Sequence, residues 1–251
     1  MRAMKGHAAL WIAAAALAGC ASAQPDRPAP SARPAAPASR AALGLANDLK
    51  WVRDSAEFQA AVLQTYRVAT AHVEAQAATR ARGAWVVTLD ADETVISNLT
   101  YQIEQGAQGM KFASGTWDAW VKRREATPLP GAAAFLARVR ALGGRIAIVT
   151  NRLVSQCADT EAVFRTHALV YDVMLCRPGG VASDKNPRFA SVASGQAFGS
   201  STPLEVVAYV GDNILDFPAL SQASRLQGAA GLAGFGVKFF LVPNPMYGSW
   251  E

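Results

Sequence analysis

Two aspartates separated by one residue, Asp90 and Asp92, directly follow the short apolar segment Val86–Leu89. Apolar, β-branched residues bounded by polar ones are typical of a buried strand. In an open α/β sheet, ligands bind just beyond the carboxyl ends of the strands. The spacing therefore places two carboxylates where chemistry takes place, one able to act as a nucleophile and the other as a general acid and base.

Two further apolar segments, Arg145–Val149 and Val206–Val210, run into polar residues in the same way. The polar residues that follow them are Thr150, Asn151, Asp212 and Asp216. An isolated Asp-x-Asp is more often an acidic turn than a site. Several strands of a parallel sheet, however, bring their carboxyl ends to one edge. The sequence therefore predicts a crevice that is lined by a hydroxyl group and several carboxylates.

The elements that must position this crevice follow from periodicity. A long helix is predicted after Ser55, a candidate N-cap. Its apolar positions are Phe58, Val62, Tyr66, Ala69 and Val73. A second helix is predicted before Gly143-Gly144, where glycine favours a helix end, and a further strand is predicted over Val237–Val242. Alternating helices and strands predict an α/β fold with a doubly wound, mostly parallel, Rossmann-like sheet.

The three strand ends resemble the motifs of the haloacid dehalogenase superfamily, and specifically of its four-aspartate phosphatases. The chain is similar, within that superfamily, to the class C nonspecific acid phosphatases, bacterial surface lipoproteins that dephosphorylate nucleotides. This resemblance runs from about Leu45 onward and includes Thr116–Trp120 and the tail Pro243–Glu251. It implies a phosphatase domain over residues 41–251, with a small, largely helical cap inserted at about 97–128.

The resemblance also implies a covalent mechanism. Asp90 would attack phosphorus and form an aspartyl-phosphate, which divides one difficult displacement into two easier ones. Asp92 would protonate the leaving alkoxide and then deprotonate the attacking water. Thr150 would donate a hydrogen bond to a phosphoryl oxygen, with assistance from Asn151.

Several carboxylates beside a substrate phosphate require a cation, and Mg²⁺ prefers oxygen ligands of this kind. The resemblance implies Mg²⁺ as the cofactor. It implies Asp90, the main-chain carbonyl of Asp92 and Asp212 as ligands, while Asp216 helps to hold the metal's waters. A turn aspartate at Asp212 and a helix N-terminal acid at Asp216 are the alternative interpretations.

Lys185 is the candidate for the remaining positive charge. It is the only lysine between Lys122 and Lys238 in a chain that otherwise uses arginine. A lysine retained among arginines suggests a need for a compact ammonium group. The resembled family has a lysine-rich run in this region, so the register of the motif is open, and a surface lysine is the alternative.

Four aromatic residues resemble positions that line the leaving-group pocket of the class C enzymes: Trp117, Trp120, Tyr247 and Trp250. Stacking on a planar base is worth about 1–3 kcal/mol per base. Tryptophans spaced three apart on a helix also serve to pack that helix onto a core. Trp120 suits the two interpretations equally. We expect Trp117 and Tyr247 to bind substrate.

The N-terminus predicts a lipid anchor. A basic start is followed by the apolar run Ala8–Leu17, which is too short to span a bilayer. Leu17–Cys20 then resembles a bacterial lipoprotein signal of residues 1–20, with Cys20 as the lipidated residue. Residues 21–40 are rich in Pro, Ala and Ser, a composition that suits an extended tether. We expect the protein to be anchored in the bacterial cell envelope, at the outer membrane.

Composition sets the remaining bounds. The chain has 251 residues and a formal net charge of +5. It has no Lys/Arg cluster interleaved with aromatic residues, so nucleic acid is not an expected partner. The expected partners are small phosphate monoesters and, through the lipid, a membrane; the sequence does not indicate an oligomeric state. Cys157 and Cys176 either pair in an oxidising compartment or serve as small core residues.

Three functions are compatible with these features. The first is a Mg²⁺-dependent acid phosphatase that acts on phosphate monoesters, including nucleoside monophosphates. The second is a phosphotransferase that passes the phosphoryl group from the same aspartyl-phosphate to an alcohol. The third is a surface lipoprotein that binds phosphorylated ligands without turnover. The presence of both Asp90 and Asp92 argues against the third.

Overall fold

The structure is a computed structural model that describes residues 44–251. The predictions made for the signal peptide, the tether and Cys20 fall outside these residues. Among the residues described, no helix combines the length and the apolar character that crossing a bilayer requires.

Within residues 44–251, seven strands form two sheets. They are β1 (Trp85–Leu89), β2 (Ile96–Ser97), β3 (Thr127–Pro128), β4 (Arg145–Leu153), β5 (Val173–Arg177), β6 (Glu205–Gly211) and β7 (Phe239–Leu241). The main sheet has five strands in the order β5-β4-β1-β6-β7, and every neighbouring pair is parallel. The predicted doubly wound parallel sheet is therefore confirmed. The last strand is shorter than the predicted segment Val237–Val242.

The described part of the chain also contains eight α-helices. They are α1 (Asn47–Asp54), α2 (Ala56–Ala77), α3 (Leu99–Ala107), α4 (Ser114–Arg123), α5 (Ala132–Leu142), α6 (Cys157–Thr166), α7 (Asn186–Ala193) and α8 (Gly228–Gly231). Short 3₁₀ turns lie at Val154–Gln156, Gln196–Phe198, Ile214–Asp216 and Gln222–Gln227.

The long helix α2 forms as predicted. The Ser55 hydroxyl accepts a hydrogen bond of 3.0 Å from the Phe58 amide, which satisfies one of the unpaired donors of the first turn. Its buried residues are Phe58, Val62, Tyr66, Ala69 and Val73. Helix α5 ends at Gly143, whose φ is +86°. At the next residue, an added Cβ on Gly144 would lie 2.4 Å from the Trp85 ring, so only glycine fits there.

The core lies on both faces of the main sheet. Strand β1 divides its side chains between the faces, since Trp85, Val87 and Leu89 pack with α2 and α5, while Val86 packs with Phe189 of α7. Burial on both faces explains why β1 does not alternate between apolar and polar residues; Thr88 is its one polar residue. Such a strand is held firmly, and so is the residue at its carboxyl end.

The segment between β2 and β3 is largely helical, as expected, and contains α3 and α4. The two short strands pair in antiparallel fashion, with Ser97 opposite Thr127, so the segment leaves and re-enters the domain at one place. Tyr101 and Trp120 are buried with the main core. The domain boundaries, and the role of this segment as a cap, stay predictions.

Cys157, at the start of α6, forms a disulfide with Cys176 of β5. Their Cα atoms are 6.1 Å apart, within the range that disulfides require. Of the two interpretations left open by the sequence, the structure has the paired one. The bond ties α6 to the edge strand of the main sheet.

Candidate active site

Asp90 follows the last residue of β1 and lies at the centre of the site. Its amide donates to the Val210 carbonyl of β6 at 3.0 Å, which continues the strand pairing by one residue. Lys185 Nζ donates to Asp90 Oδ1 and to Asp216 Oδ1, the latter at 2.7 Å. The structure thus brings the predicted lysine, only 3% exposed, against the predicted nucleophile.

Three carboxylates converge beside Lys185. Oxygen atoms of Asp90, Asp212 and Asp216 lie within 4.8 Å of one another. Asp212 accepts hydrogen bonds from Thr94 Oγ1 at 2.9 Å and from Asn244 Nδ2 at 2.9 Å. Oxygen-rich clusters of this kind fit Mg²⁺, a hard cation that prefers carboxylates and water.

The carboxylates carry more negative charge than one lysine balances. Burial, together with the charges of Asp216 and Asp92, raises the pKa of Asp90 to about 7 even though Lys185 acts in the opposite direction. Burial and the charges of Asp216 and Asp90 also raise the pKa of Asp212 well above its usual value. Both shifts indicate a site that would bind a further cation favourably.

Gly211 allows two of these carboxylates to approach. A Cβ added to Gly211 would lie 2.2 Å from the Cβ of Asp216, which no side chain can tolerate. The Asp216 carboxylate also accepts a hydrogen bond of 2.9 Å from the Asn213 amide. The spacing Gly-Asp-Asn followed by Asp at 216 is therefore the sequence signal of this turn.

Asp92 is held by different groups. The Arg152 guanidinium, 1% exposed, forms an ion pair of 2.7 Å with Asp92, which is 16% exposed. Asn98 donates to the same carboxylate at 2.8 Å. Burial disfavours the charged form of Arg152, but the Asp92 carboxylate outweighs it and raises the pKa of the guanidinium.

Thr150 and Asn151, in the second half of β4, lie next to a second arginine. Arg188 of α7 donates to the Thr150 carbonyl and to Asn151 Oδ1 at 2.6 Å. The buried Thr150 hydroxyl accepts from the Arg152 amide at 3.1 Å. Because the hydroxyl already accepts there, its proton is available for donation, as the predicted role of Thr150 requires.

Glu93 is a buried acid, 3% exposed, with φ of +52°. It accepts hydrogen bonds from the Asn98 amide at 2.6 Å, from Asn98 Nδ2 at 2.9 Å and from the Tyr247 hydroxyl. Burial and the charge of Asp92 raise the pKa of Glu93 to about 7 despite these donors. The C-terminal tail is thereby fastened to the loop that carries both catalytic candidates.

The aromatic candidates separate into different environments. Trp120 is 2% exposed and its indole nitrogen donates to Asn98 Oδ1 at 2.8 Å, which favours the packing interpretation. Trp117 is half-buried, with Tyr101 at 5.2 Å and the Arg152 guanidinium at 5.3 Å from its ring. Trp250 is 54% exposed. The substrate-binding roles of Trp117 and Tyr247 stay predictions.

The structure adds contacts that sequence reasoning missed. They are made by Glu93, Asn98, Arg152, Arg188 and Asn244. Arg152 directly follows the recognised Thr150-Asn151 motif and Asn244 lies within the recognised tail, so their positions were in view. What the sequence lacked was a partner for each of them, because their partners come from other strand ends or from the inserted segment.

A parallel sheet with a lysine-bridged aspartate, clustered carboxylates and a threonine at its strand ends defines a phosphohydrolase of the haloacid dehalogenase type. Residues 18–250 match the family described as HAD superfamily, subfamily IIIB (Acid phosphatase), and the chain belongs to this family. It is therefore an acid phosphatase, a phosphoric monoester hydrolase.

Solved structures agree with this assignment. The class C acid phosphatase from Bacillus anthracis is 27% identical, with a TM-score of 0.68, over 81% of this chain and 84% of that one. The tungstate-bound crystal structure of a class C acid phosphatase from the same organism gives 26% identity and a TM-score of 0.69 over the same shares of the chains.

Proposed function

We propose that this acid phosphatase depends on Mg²⁺ and hydrolyses phosphate monoesters, nucleoside monophosphates among them, through an aspartyl-phosphate on Asp90. The observation that carries the proposal is the position of Asp90 against Lys185 and beside the carboxylates of Asp212 and Asp216. An aspartate placed at a strand end, oriented by an ammonium group and largely shielded from water, is suited to attack phosphorus.

In the first half-reaction, a carboxylate oxygen of Asp90 forms a bond to phosphorus while the bond from phosphorus to the ester oxygen breaks. Lys185 occupies Oδ1 of Asp90, which leaves Oδ2 for the attack. Asp92 gives a proton to the departing alkoxide. The Thr150 hydroxyl and Lys185 donate to the phosphoryl oxygens, on which negative charge accumulates.

In the second half-reaction, water attacks phosphorus and the aspartyl–phosphate bond breaks. Asp92, now ionised, accepts the proton of that water. Inorganic phosphate leaves and the Asp90 carboxylate is regenerated, so the proton donated in the first half-reaction is recovered in the second.

Asp90, the carbonyl of Asp92 and Asp212 would hold the Mg²⁺, and Asp216 would orient its waters. When bound, the ion supplies positive charge that stabilises the phosphoryl oxygens and offsets the carboxylates. The raised pKa values of Asp90 and Asp212 support this assignment, because burial and the neighbouring carboxylates disfavour the charged forms that a cation would stabilise.

A nucleotide leaving group is supported by the aromatic residues of the inserted segment. Phe112 is 69% exposed, and its ring lies 6.2 Å from that of the half-buried Trp117. Exposed aromatic faces of this kind bind planar bases without strong sequence preference.

A panel of monoesters tests the proposal. Phosphate release is measured for nucleoside monophosphates and small alkyl phosphates, with Mg²⁺ and with chelator. We expect activity that chelation stops and Mg²⁺ restores; full activity in metal-free protein would exclude the metal assignment. An added alcohol acceptor distinguishes hydrolysis from phosphotransfer, since transfer would yield less free phosphate than free leaving group.

We also propose that Cys20 carries a lipid that anchors the protein in the bacterial cell envelope. The sequence Leu17–Cys20 supports this, and so does the pairing of Cys157 with Cys176, because disulfides persist in oxidising compartments. Cys20→Ser should release the protein from membranes or block its processing. Mass spectrometry that finds an unmodified N-terminus elsewhere would contradict the anchor.

A further inference from the structure

Arg152 is a buried charged residue to which the mechanism so far gives no part. It lies in β4, two residues beyond Thr150, and donates to Asp92 through two nitrogens. Its terminal nitrogen reaches Oδ1 at 2.7 Å, and Nε lies 3.0 Å from Oδ1 and 3.1 Å from Oδ2. A guanidinium that uses two donors fixes both the position and the rotation of a carboxylate.

The two oxygens of Asp92 are treated unequally. Oδ1 accepts from Arg152 and also from Asn98 Nδ2 at 2.8 Å. Oδ2 has only the Arg152 Nε contact at 3.1 Å among the described residues. Since the lone pairs of Oδ1 are occupied, Oδ2 is the oxygen left to exchange a proton with the leaving group and with water.

Arg152 is itself held from three sides. It donates to Thr160 Oγ1 of α6 at 3.1 Å and to Asn98 Oδ1 at 3.0 Å, and Trp117 of α4 lies against its face at 5.3 Å. These partners belong to the sheet's flank and to the inserted segment. A side chain fixed in this way acts as a rigid support for the group that it binds.

We propose that Arg152 is a positioning residue that orients Asp92 so that Oδ2 meets the leaving-group oxygen. This inference rests on the proposed role of Asp92 as general acid and base. Proton donation matters most when the leaving group is a poor one, because an acidic phenol departs without help. Loss of the Arg152 contacts with Asp92 should therefore slow the cleavage of alkyl phosphates far more than that of nitrophenyl phosphate.

The test is a leaving-group series in the presence of Mg²⁺. The values of kcat/KM for 4-nitrophenyl, phenyl and glycerol phosphates are compared in wild type, Arg152→Gln, Arg152→Lys and Asp92→Asn. We expect Arg152→Gln to lose about 100-fold on glycerol phosphate and only a few-fold on 4-nitrophenyl phosphate, as general acid–base effects of this size predict. Arg152→Lys keeps the charge but loses the second donor, and should fall between Arg152→Gln and wild type.

A double variant, Arg152→Gln with Asp92→Asn, tests whether Arg152 acts through Asp92. If Arg152 acts through Asp92, Arg152→Gln adds no further leaving-group dependence in the Asp92→Asn background. An equal loss of kcat/KM on all three substrates in a folded Arg152 variant would overturn the proposal. The proposal would also be overturned if Arg152→Gln increased the leaving-group dependence in the Asp92→Asn background as much as it does in wild type. Arg152→Lys decides the question in the same way if Arg152→Gln does not fold.

The controls separate this inference from the proposed function. Arg138→Gln removes an arginine of a half-exposed ion pair with Glu74 and should leave the series unchanged. Inhibition by inorganic phosphate reports an intact phosphate site in each variant. If wild type cleaves all three esters and the Arg152 variants cleave them equally well, only the positioning role of Arg152 is contradicted. A wild-type protein that releases phosphate from none of them contradicts the proposed function and the Arg152 role with it.

Discussion

The two aspartates that we propose as catalytic, Asp90 and Asp92, are two residues apart and lie in contrasting surroundings. Asp90 is bound by an ammonium group and faces other carboxylates, all supplied by strand ends and the start of α7. Asp92 is bound by a guanidinium and an amide, and these in turn contact the inserted segment. The surroundings of Asp90 are a cluster of point charges with an excess of carboxylates; those of Asp92 are a network of directed hydrogen bonds.

The difference matches the tasks that the two carboxylates are proposed to perform. A nucleophile between phosphate and metal needs charge balance, which lysine and a cation provide without a fixed direction. A general acid and base needs orientation toward an atom that belongs to the leaving group. The sheet supplies the first requirement, and the inserted segment contributes to the second.

The largest expected effect comes from the charged cluster around Asp90. Asp90→Asn removes the nucleophile while keeping its shape, so phosphate release should fall by at least about 10⁴-fold. The measurement is steady-state phosphate release, with circular dichroism to establish that the variant is folded. Trapping with acid should yield a phosphoprotein from wild type and none from Asp90→Asn. A folded Asp90→Asn variant with wild-type turnover would exclude the covalent mechanism.

The next effect concerns stability on the same side. Lys185→Met leaves the buried Asp90 and Asp216 carboxylates without their counter-ion, and breaking a buried pair costs about 3–5 kcal/mol. Urea unfolding in chelator should show that loss, and Mg²⁺ should restore part of it. Lys122→Met, which breaks an exposed pair with Asp118, serves as the control and should change the free energy of unfolding by less than about 1 kcal/mol. Equal losses in the two variants would show that Lys185 balances no charge.

These two sides also differ in how far the sequence revealed them. The location of Asp90, Thr150 and Asp212 could be predicted because each follows an apolar segment, and a parallel sheet brings the carboxyl ends of its strands together. The structure places Lys185 against Asp90 even though the lysine-rich run was lacking. The parallel sheet was predictable from its short apolar segments, and the buried stripe of α2 from its helical period. Burial imposes both patterns on the sequence.

The hydrogen-bonded side was not predictable. No periodicity singles out Glu93, yet it is a buried acid that accepts hydrogen bonds from Asn98 and from the Tyr247 hydroxyl. Such pairs join segments that no periodicity relates. Arg152 had no forecast partner, because a buried arginine is recognised only when the carboxylate opposite it is known.

A smaller effect is expected from the aromatic residues near Asp92, Trp117 and Tyr247. If Trp117 stacks on the base, Trp117→Ala should lower kcat/KM for a nucleotide, relative to glycerol phosphate, by about 10- to 100-fold. Tyr247→Ala should shift the ratio in the same direction. An unchanged ratio, together with a lower unfolding midpoint, would leave both residues with a packing role and remove the support for nucleotide preference.

The smallest effect separates the ring of Tyr247 from its hydroxyl. Tyr247→Phe keeps the ring and removes one of the donors to Glu93, at a cost of about 1 kcal/mol because both Asn98 contacts remain. The free energy of unfolding measures the loss, and Tyr171→Phe is the matched control. The nucleotide ratio should not change in Tyr247→Phe. A changed ratio would show that the hydroxyl, rather than the ring, selects the substrate.

The sequence separations within the site have a consequence for biosynthesis. Lys185 and Asp90 are 95 residues apart, Thr94 and Asp212 are 118 apart, and Tyr247 and Glu93 are 154 apart. Contacts this distant form slowly, and none of them can form before its later residue has been synthesised. An incomplete chain that ends before Asn244 lacks the hydrogen bond from Asn244 to Asp212 and the one from Tyr247 to Glu93. The complete site therefore arises only after Tyr247 has been synthesised, so products that stop before it cannot contain the site.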